Sequence, residues 1–428
     1  MLQIALLLMG VAFVRKSAPM LGITGVLWGG IGVSVFLDGM EGMRYFPFHV
    51  FGILLLIESL MTLMLAGSAA GAQKSVFYFK GGVFCFIAVL ILSGRESSNL
   101  LLAILFGFAF FITGLFVMAS AWVVRYGNWR RVFLGGVAQL AFAMFLFFPY
   151  PTHHHGTISQ FLGMIMILGG IQCIRLATRA FRLREGASVF NIMEPGELLP
   201  VSEFTAESQS ASPLIVHIWT PEGSSENAPV PRPLINRYIA AVDVNGVIST
   251  GHAALEMLPD IYISLYPAVE IDRSPSEFFN TLKAIQENNV PGEFQDNYAS
   301  EVAAWCDSDR KIIFHDFNAR ALQRYWESYR ESNTYNLTWR NCSSSVAYGL
   351  ESALDGVLSL RGGWGWLHFI RLFFMPELWI AAQLRKRATT MAWTPGLMLD
   401  YAHALHGLVH PVQHSWLRRW KQQLGRAP

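Results

Sequence analysis

The sequence predicts a multi-domain protein, in which an all-α transmembrane bundle of three helical hairpins is followed by an α+β domain. Residues 1–184 are almost continuous apolar runs that short charged loops interrupt. Residues from about 200 to 360 have the mixed composition of a globular domain, with strands before helices. The whole chain is 53% hydrophobic and 14% charged, which is unusual for a soluble protein and follows from its apolar first half.

We divide the chain into four segments by these changes in composition. A transmembrane domain covers 1–184 and an α+β domain covers 213–361. Between them, 185–212 contains Pro, Gly, Ser and acidic residues without a sustained period, which is typical of a linker. Residues 362–428 form an aromatic and basic tail that we expect to lie near the membrane.

Charge and histidine content exclude some partners. The formal net charge is +2 and no basic stripe is interleaved with aromatic residues, so we expect no nucleic-acid partner. Three adjacent histidines in "PTHHHGT" at 151–157 cannot all face one ion on a regular element, and a metal site or a response to pH is the less favoured interpretation there. We expect no cofactor and no metal ion.

Six apolar stretches are long enough to cross the hydrocarbon core of a bilayer, which takes about 17 to 25 helical residues. They are 18–37, 48–67, 76–93, 99–124, 132–149 and 157–176. A seventh run at 2–14 is shorter, and it predicts an interfacial helix, a short span or a signal-like start. Because it lacks a basic n-region and a small-residue cleavage site, we expect it to remain in the mature chain.

The distribution of Lys and Arg predicts the orientation of these spans. One side carries Arg15, Lys16, Lys74, Arg125, Arg130, Arg131, Arg179, Arg182 and Arg184, whereas the other carries Arg44 and Arg95. Cytoplasmic loops are enriched in basic residues. The α+β domain is therefore expected in the cytoplasm, where a free thiol persists.

Paired glycines recur at the start of three spans, at 29–30, 81–82 and 135–136. Small residues let helix backbones approach closely in lipid, so packing is the expected role. This glycine pattern and the helix count resemble the HdeD family of bacterial inner-membrane proteins over about 18–182. The resemblance implies a multi-pass protein of the bacterial inner membrane, contact with membrane lipids, and a role in acid and stress resistance.

The α+β domain opens with short strands. "LIVHIWT" at 214–220 is one, and Asn245-Gly246 between two apolar runs is a strong hairpin signal. His252 falls on or just past the second strand of that hairpin. Further strands are predicted in "DIYISLYPAVEID" and "KIIFHDF", before a helix over 319–332.

Cys342 in "TYNLTWRNCSSSVAYGLESAL" is predicted at the start of a helix. Val346, Leu350, Leu354 and Val357 share one helical face, and Asn341 supplies N-cap chemistry before it. The unpaired N–H groups and positive dipole end of a helix N-terminus favour a thiolate. The remaining cysteines, Cys85, Cys173 and Cys306, are expected to serve packing.

A reactive thiol needs an imidazole base and a third polar group that orients the base. His217, His252 and His315 are the candidates. His252 is favoured because, following glycine at a strand edge, it is expected to be the best exposed of the three, and His315, which precedes Asp316, is the second choice. Asn336 and Asn341 could donate hydrogen bonds to an oxyanion, or could serve only as turn and cap residues.

The segments "GHAAL", "YISLYP" and "YNLTWRNCSSS" occur in this order. They resemble the circularly permuted papain-like proteins, including NlpC-like and lecithin:retinol acyltransferase-like members. The resemblance implies that Cys342 is the nucleophile and His252 the general base. It places a third member on the next strand, where Ser264 is favoured over Glu270 and Asp272.

The apolar stretch at 362–384 contains Arg371, Pro376 and Glu377, which makes a span expensive. An interfacial helix, or a helix packed against the spans, is expected instead. The basic run at 385–387 follows at once and favours an anionic lipid surface.

Three functions remain open. The favoured one is a membrane-tethered cysteine hydrolase that forms a thioester, with a peptidase as the preferred type. A lipid or lipoprotein acyltransferase would use the same Cys-His pair, so the expected substrate is a protein or a lipid-linked acyl group. The third is a non-enzymatic membrane scaffold or stress sensor.

Overall fold

The computed structural model describes residues 1–41, 47–66, 71–125, 127–149, 154–183, 187–193, 212–220, 241–242, 248–249, 251–269, 271, 278–359 and 365–411. The predicted linker, the Asn245-Gly246 turn, Glu270, Asp272 and the end of the basic tail lie outside these residues, or largely so. The chain divides into two compact units. We call Ser17–Trp122 with Asn128–Arg182 the helical unit, and Met1–Lys16, Val123–Gly127 and Leu183–Pro428 the sheet unit.

The first half of the chain is helical. Its helices are α1 (Leu2–Met9), α2 (Val11–Met40), α3 (Phe48–Ala66), α4 (Gly71–Ser93), α5 (Glu96–Val124), α6 (Trp129–Phe147) and α7 (Thr157–Phe181). In the described part of the chain, α2, α5, α6 and α7 are long and apolar enough to cross a membrane. Shorter apolar stretches, His49–Met64 and Phe77–Ser93, lie within α3 and α4. Membrane association of a helical N-terminal half is thus supported, with four candidate spans where the sequence predicted six.

Glycines bring the helices of the helical unit together. A Cβ added to Gly81 would lie 2.6 Å from Leu63 of α3, and one added to Gly136 would lie 2.6 Å from Met118 of α5. Their neighbours Gly82 and Gly135 have nothing within 4 Å of that position. One glycine of each of these two pairs therefore makes a close helix contact, which is the packing role that the sequence predicted, whereas in the pair at 29–30 Gly29 only meets the Gly170 Cα at 3.8 Å.

A carboxylate within the helical unit is paired. Lys80 Nζ of α4 donates to Glu58 Oε1 of α3 at 2.6 Å, and Thr62 donates to the same oxygen at 3.2 Å. Since an unpaired charge among apolar helices is expensive, this pair gives Glu58 a structural role.

The sheet unit contains every described strand. They are β1 (Leu214–Trp219), β2 (Ala241–Val242), β3 (Ile248–Ser249), β4 (His252–Met257), β5 (Ile261–Ile263), β6 (Leu265–Pro267), β7 (Val290–Phe294), β8 (Arg310–Phe314) and β9 (Thr334–Tyr335). An antiparallel sheet has the order β5-β4-β1-β8, a second sheet has the order β6-β7-β9, and β2 pairs with β3. The prediction of a sheet-containing C-terminal region is confirmed.

Helices pack around these sheets. They are α8 (Phe190–Met193), α9 (Phe278–Thr281), α10 (Tyr298–Ala304), α11 (Ala319–Tyr329), α12 (Cys342–Ala353), α13 (Gly365–Phe373), α14 (Pro376–Thr390) and α15 (Pro395–Val409). Val346, Leu350 and Leu354 are fully buried, and α12 packs on β4. The predicted apolar stripe is therefore buried, with Val346 and Leu350 on the core face of α12 and Leu354 and Val357 just past its end.

The N-terminal run differs from its predicted place in the transmembrane domain. Leu6, Leu7 and Leu8 of α1 are at most 1% exposed, and α1 belongs to the sheet unit. The backbone N–H groups of Gly356 and Leu358 donate to Leu7 O at 2.8 Å and Leu8 O at 2.9 Å. A helix that is apolar on all sides is typical of a buried position, and here that position is the core of the sheet unit.

The segment at 362–384, predicted as a helix in the membrane interface or packed against the spans, is divided at Pro376, which begins α14. On α13, Leu367 and Ile370 are exposed while Phe369 and Leu372 are buried. By contrast, Arg385 is buried rather than available to lipid. Helices α14 and α15 therefore form part of the sheet unit rather than a separate tail.

Candidate active site

Cys342 and His252 line one cavity of about 440 Å³ in the sheet unit. Leu265, Tyr266, Gln295, Glu301, Trp305 and Tyr335 are among the other lining residues. A pocket with apolar walls and a few convergent polar groups is the usual form of a small-molecule or substrate site. The two residues predicted as nucleophile and base thus lie at the same pocket.

Cys342 is the first residue of α12, and Asn341 is its N-cap. Asn341 Oδ1 accepts a hydrogen bond from Ser344 N at 2.8 Å, and Ser344 Oγ accepts one from Asn341 N at 2.8 Å. This reciprocal capping box fixes the first turn of the helix. The Cys342 side chain, 8% exposed, is therefore held at a helix N-terminus that opens into the cavity.

His252 opens β4, opposite Trp219 of β1. Its ring stacks on the Tyr266 ring with centroids 4.0 Å apart and an interplanar angle of 16°, and the Trp219 ring lies 5.5 Å away. The residue before it, Gly251, has φ +69°, a conformation that favours glycine. The imidazole is therefore held between aromatic rings at the start of β4. His252 is only 3% exposed, so the expectation that it is the best exposed of the three histidines is wrong, because these rings cover it.

The Nε2 atom of His252 faces a polar group in the chain between β5 and β6. Ser264 Oγ lies 2.9 Å from Nε2, and the Ser264 hydroxyl donates to Glu301 Oε2 at 2.8 Å. Tyr262 and Tyr266 donate to the same carboxylate at 2.5 Å and 2.7 Å. A chain of hydrogen bonds thus joins the imidazole to a buried carboxylate of α10.

Burial decides the protonation of these groups. Desolvation lowers the pKa of His252 to about 4, although the negative charge of Glu301 acts in the opposite direction. Desolvation and the hydrogen bonds to Glu301 raise the pKa of Tyr262 and Tyr266. At neutral pH the imidazole is uncharged and both phenols keep their protons.

The asparagines proposed for an oxyanion hole have other partners. The Asn341 amide donates to Leu337 O at 2.8 Å and to Trp393 O at 2.9 Å. The Asn336 amide donates to Asn289 Oδ1 at 2.9 Å and its own oxygen accepts from Thr338 N at 3.1 Å. Of the two roles that the sequence left open, the structure gives both residues the cap and turn role.

The other histidine candidates lie elsewhere. His217 Nε2 is 3.0 Å from Glu256 Oε2 and its Nδ1 is 3.1 Å from Ser308 Oγ. His315 follows β8 and is exposed, and its backbone N–H donates to His410 Nε2 at 3.4 Å. Neither is among the residues that line the cavity with Cys342.

Sequence reasoning missed Glu301, because the third group was sought only on the strand after His252. Glu301 lies 37 residues beyond Ser264 in sequence, on a helix that Asn297 caps. The one available signal was a single acidic residue in the otherwise uncharged helix "YASEVAA". Among the described residues, no group of three or more His, Cys, Asp or Glu side chains is arranged to hold a metal ion.

The predicted packing role of Cys306 is not supported, because Cys306 is exposed, while Cys85 and Cys173 are half-buried.

Comparison of the chain with protein-family models, with curated proteins and with solved structures found no match.

Proposed function

We propose that the protein is a membrane-associated cysteine hydrolase that forms a thioester on Cys342. The observation that carries this proposal is the meeting of Cys342, at the start of α12, and His252 at one cavity. A thiol at a helix N-terminus with an imidazole at the same pocket is the arrangement that thiol hydrolases need. The order of histidine before cysteine along the chain agrees with the permuted papain-like resemblance.

In the proposed reaction, His252 takes the proton of the Cys342 thiol as the sulfur attacks a substrate carbonyl. The C–S bond forms, the carbonyl oxygen becomes an oxyanion, and the tetrahedral intermediate then expels an amine or alcohol. The leaving group takes the proton from His252. Water next attacks the thioester, gives one proton to His252, and releases the acid while the sulfur regains that proton.

Two features of the site support these roles. An imidazole that is neutral at pH 7 can accept the thiol proton, and the negative charge of Glu301, 3.5 Å from His252 Nε2, raises the pKa of this ring against the effect of its burial. Because the side-chain amides of Asn341 and Asn336 are engaged, the oxyanion would be stabilised by backbone N–H groups in the first turn of α12.

The favoured substrate is a peptide, and the protein would act on membrane or stress-damaged proteins at the inner membrane of a bacterium. A specific observation favours a second candidate, transfer of a lipid-linked acyl group to an amine or hydroxyl. The cavity has apolar and aromatic walls that include Leu265, Trp305 and Tyr335, which suit an acyl chain. Leu367 and Ile370 are more than half exposed on α13, so this helix could contact membrane lipids.

Purified full-length protein should be incubated with casein and, separately, with phospholipid vesicles. We expect product release by the wild type and at least a 10²-fold loss in Cys342→Ala and His252→Gln, because general-base catalysis contributes about 10²-fold or more. His217→Gln is the matched control, since His217 is also buried in the same sheet but lies outside the cavity. Peptide release assigns a peptidase and acyl loss assigns an acyltransferase. Activity retained in Cys342→Ala would overturn the role of Cys342, and a wild type without either activity would leave the scaffold hypothesis.

A further inference from the structure

Glu301 is a buried carboxylate that three hydroxyl groups satisfy. Its side chain is 4% exposed, and it accepts hydrogen bonds from Ser264, Tyr262 and Tyr266. A carboxylate can accept hydrogen bonds from three hydroxyl groups without carrying a proton itself, and a buried carboxylate is stable only with such partners. Glu301 is therefore the ionised acceptor at the end of the hydrogen-bond chain.

The number of hydrogens available in the hydrogen bonds from His252 to Ser264 and Glu301 determines the tautomer of His252. The Ser264 hydroxyl has one hydrogen, and it donates that hydrogen to Glu301. The contact between Ser264 Oγ and His252 Nε2 at 2.9 Å then requires a hydrogen on Nε2, because the serine oxygen has only lone pairs left to offer. In a neutral imidazole the other nitrogen, Nδ1, is left with the free lone pair.

We infer that Glu301 is a positioning residue, which acts through Ser264 to keep the proton of His252 on Nε2 and so leaves Nδ1 as the base for the Cys342 thiol. The inference rests on the proposed function and adds a residue to it. Glu301 does not touch the reacting atoms. It acts through the hydroxyl of Ser264.

Tyr266 gives Glu301 a second route to the imidazole. The Tyr266 ring stacks on the His252 ring at 4.0 Å while its hydroxyl donates to Glu301 Oε1 at 2.7 Å. The same carboxylate thus orients the hydrogen-bond partner of the imidazole and the ring that packs on it. In addition, Glu301 Oε1 lies 3.5 Å from His252 Nε2, so its charge stabilises the imidazolium that forms when Nδ1 takes the thiol proton.

Replacing Glu301 with Gln should reverse the direction of the hydrogen bonds that run from His252 through Ser264 to residue 301. The Gln amide has nearly the same size, but its NH₂ group donates hydrogen bonds. If that group donates to Ser264 Oγ, the serine hydroxyl turns to donate to Nε2, and the histidine proton moves to Nδ1. Nδ1 then has no lone pair for the thiol proton. A carboxylate that served only to fill the core would produce no such change in reactivity.

The experiment measures the rate at which iodoacetamide alkylates Cys342 in the full-length protein, between pH 5 and pH 10, by mass spectrometry of the peptide that contains it. We expect Glu301→Gln to lower the rate at pH 7 at least about tenfold and to move the pH profile toward that of an ordinary thiol, which titrates near about 8.5. Ser264→Ala should lower the rate at least about threefold, because it removes the hydroxyl that fixes the tautomer.

Glu256→Gln is the matched control. Glu256 also contacts a buried histidine, His217, in the same sheet at 3.0 Å, but it lies outside the cavity. We expect this variant to keep the wild-type rate and profile. A loss in Glu301→Gln and Ser264→Ala but not in Glu256→Gln supports the role of Glu301.

Two other outcomes overturn the inference in distinguishable ways. If wild-type Cys342 reacts as an ordinary thiol and His252→Gln leaves its rate unchanged, the proposed function fails and Glu301 has nothing to position. If His252→Gln lowers the rate but Glu301→Gln and Ser264→Ala do not, or Glu256→Gln lowers it as much, only the role of Glu301 fails. Should Glu301→Gln not fold, as judged by its thermal unfolding, Ser264→Ala decides alone.

Discussion

Arg385 and Glu351 form a buried ion pair in the sheet unit. Arg385 Nε donates to Glu351 Oε1 at 2.7 Å and one terminal nitrogen donates to Oε2 at 3.1 Å, while Tyr401 donates to Oε1 at 2.7 Å. The two side chains are 8% and 0% exposed. This pair joins α14 to α12, the helix that carries Cys342.

Removing one partner of this pair should destabilise the sheet unit strongly. Arg385→Met leaves the Glu351 carboxylate buried without its cation, so we expect a loss of about 3–5 kcal/mol in the free energy of unfolding. The measurement is urea unfolding of the purified protein in detergent, followed by tryptophan fluorescence. Lys386→Met, at an exposed neighbouring position, should change the free energy by less than about 0.5 kcal/mol. A double Glu351→Leu, Arg385→Met variant should lose less than Arg385→Met, and a larger loss would contradict this explanation.

Gly10 should tolerate no side chain. Its φ is +81°, and an added Cβ would lie 2.8 Å from the Gly356 Cα. Because that atom belongs to the backbone, no side-chain rotation can relieve the clash. We expect Gly10→Ala to release α1 from the core and to speed amide hydrogen exchange in residues 2–9, measured by mass spectrometry.

Gly94→Ala is the control for that substitution. Gly94 also has a positive φ, +61°, but an added Cβ would meet nothing closer than His49 at 3.9 Å. We expect Gly94→Ala to lower the free energy of unfolding only by the strain of a left-handed residue, about 1–2 kcal/mol, and to leave amide hydrogen exchange in α1 unchanged. Equal protection of α1 in Gly10→Ala and the wild type would show that the contact with Gly356 is unimportant.

Substitutions of Asn341 distinguish a helix-capping role from a role as hydrogen-bond donor to an oxyanion. Asn341→Ala removes the cap of α12 and the hydrogen bonds to two carbonyl groups, so we expect a loss of about 1–2 kcal/mol in the free energy of unfolding. Asn341→Asp keeps the acceptor for Ser344 N and should lose less. A variant with unchanged stability but about 10²-fold slower turnover would instead indicate an oxyanion role.

Asp355 should make stability depend on pH. Burial raises its pKa from 3.8 to about 7, against the opposing hydrogen bonds from Ser188 and Val189. Because the folded state then binds the proton more tightly than the unfolded state, this contribution is complete below about pH 4 and is lost as the pH rises through about 7. The contribution can reach a few kcal/mol, at about 1.4 kcal/mol for each unit of pKa.

The test compares urea unfolding of the wild type and Asp355→Asn between pH 5 and pH 8. Relative to the variant, the wild type should lose stability as the pH rises. The depressed pKa of His252 acts with the opposite sign, since its contribution is lost as the pH falls from about 6.5 to about 4. His252 is present in both proteins, so the difference between them isolates Asp355. A difference that stays constant across this range would contradict the role of Asp355.

Local patterns in the sequence were sufficient for the parts of the site that depend on neighbouring residues. Asn341 before Cys342, with an apolar stripe from Val346 onward, predicted a capped helix because capping and helical periodicity are local properties. His252 at the end of a strand followed from the hairpin signal at Asn245-Gly246 and from the glycine before it. Ser264 was the favoured third residue on the next strand, and it contacts His252 Nε2.

Long-range contacts were beyond these patterns. Glu301 reaches the imidazole from a separate helix, and no periodicity links it to His252. Arg385 was predicted to face lipid because it lies in a basic run, yet it is buried in an ion pair with Glu351. Likewise α1 has the composition of a membrane helix, and its burial depends on which surface covers it.

The sequence alone determined the apolar, helical first half, the sheet-containing region and the helix start at Cys342, because hydropathy, periodicity and capping act over a few residues. The tertiary structure decided that Cys342, His252 and Glu301 meet at one cavity, that α1 lies in the core of the sheet unit, and that Arg385 is buried. Each of these depends on burial and pairing between residues distant in sequence, and such free energies exist only once the chain has folded.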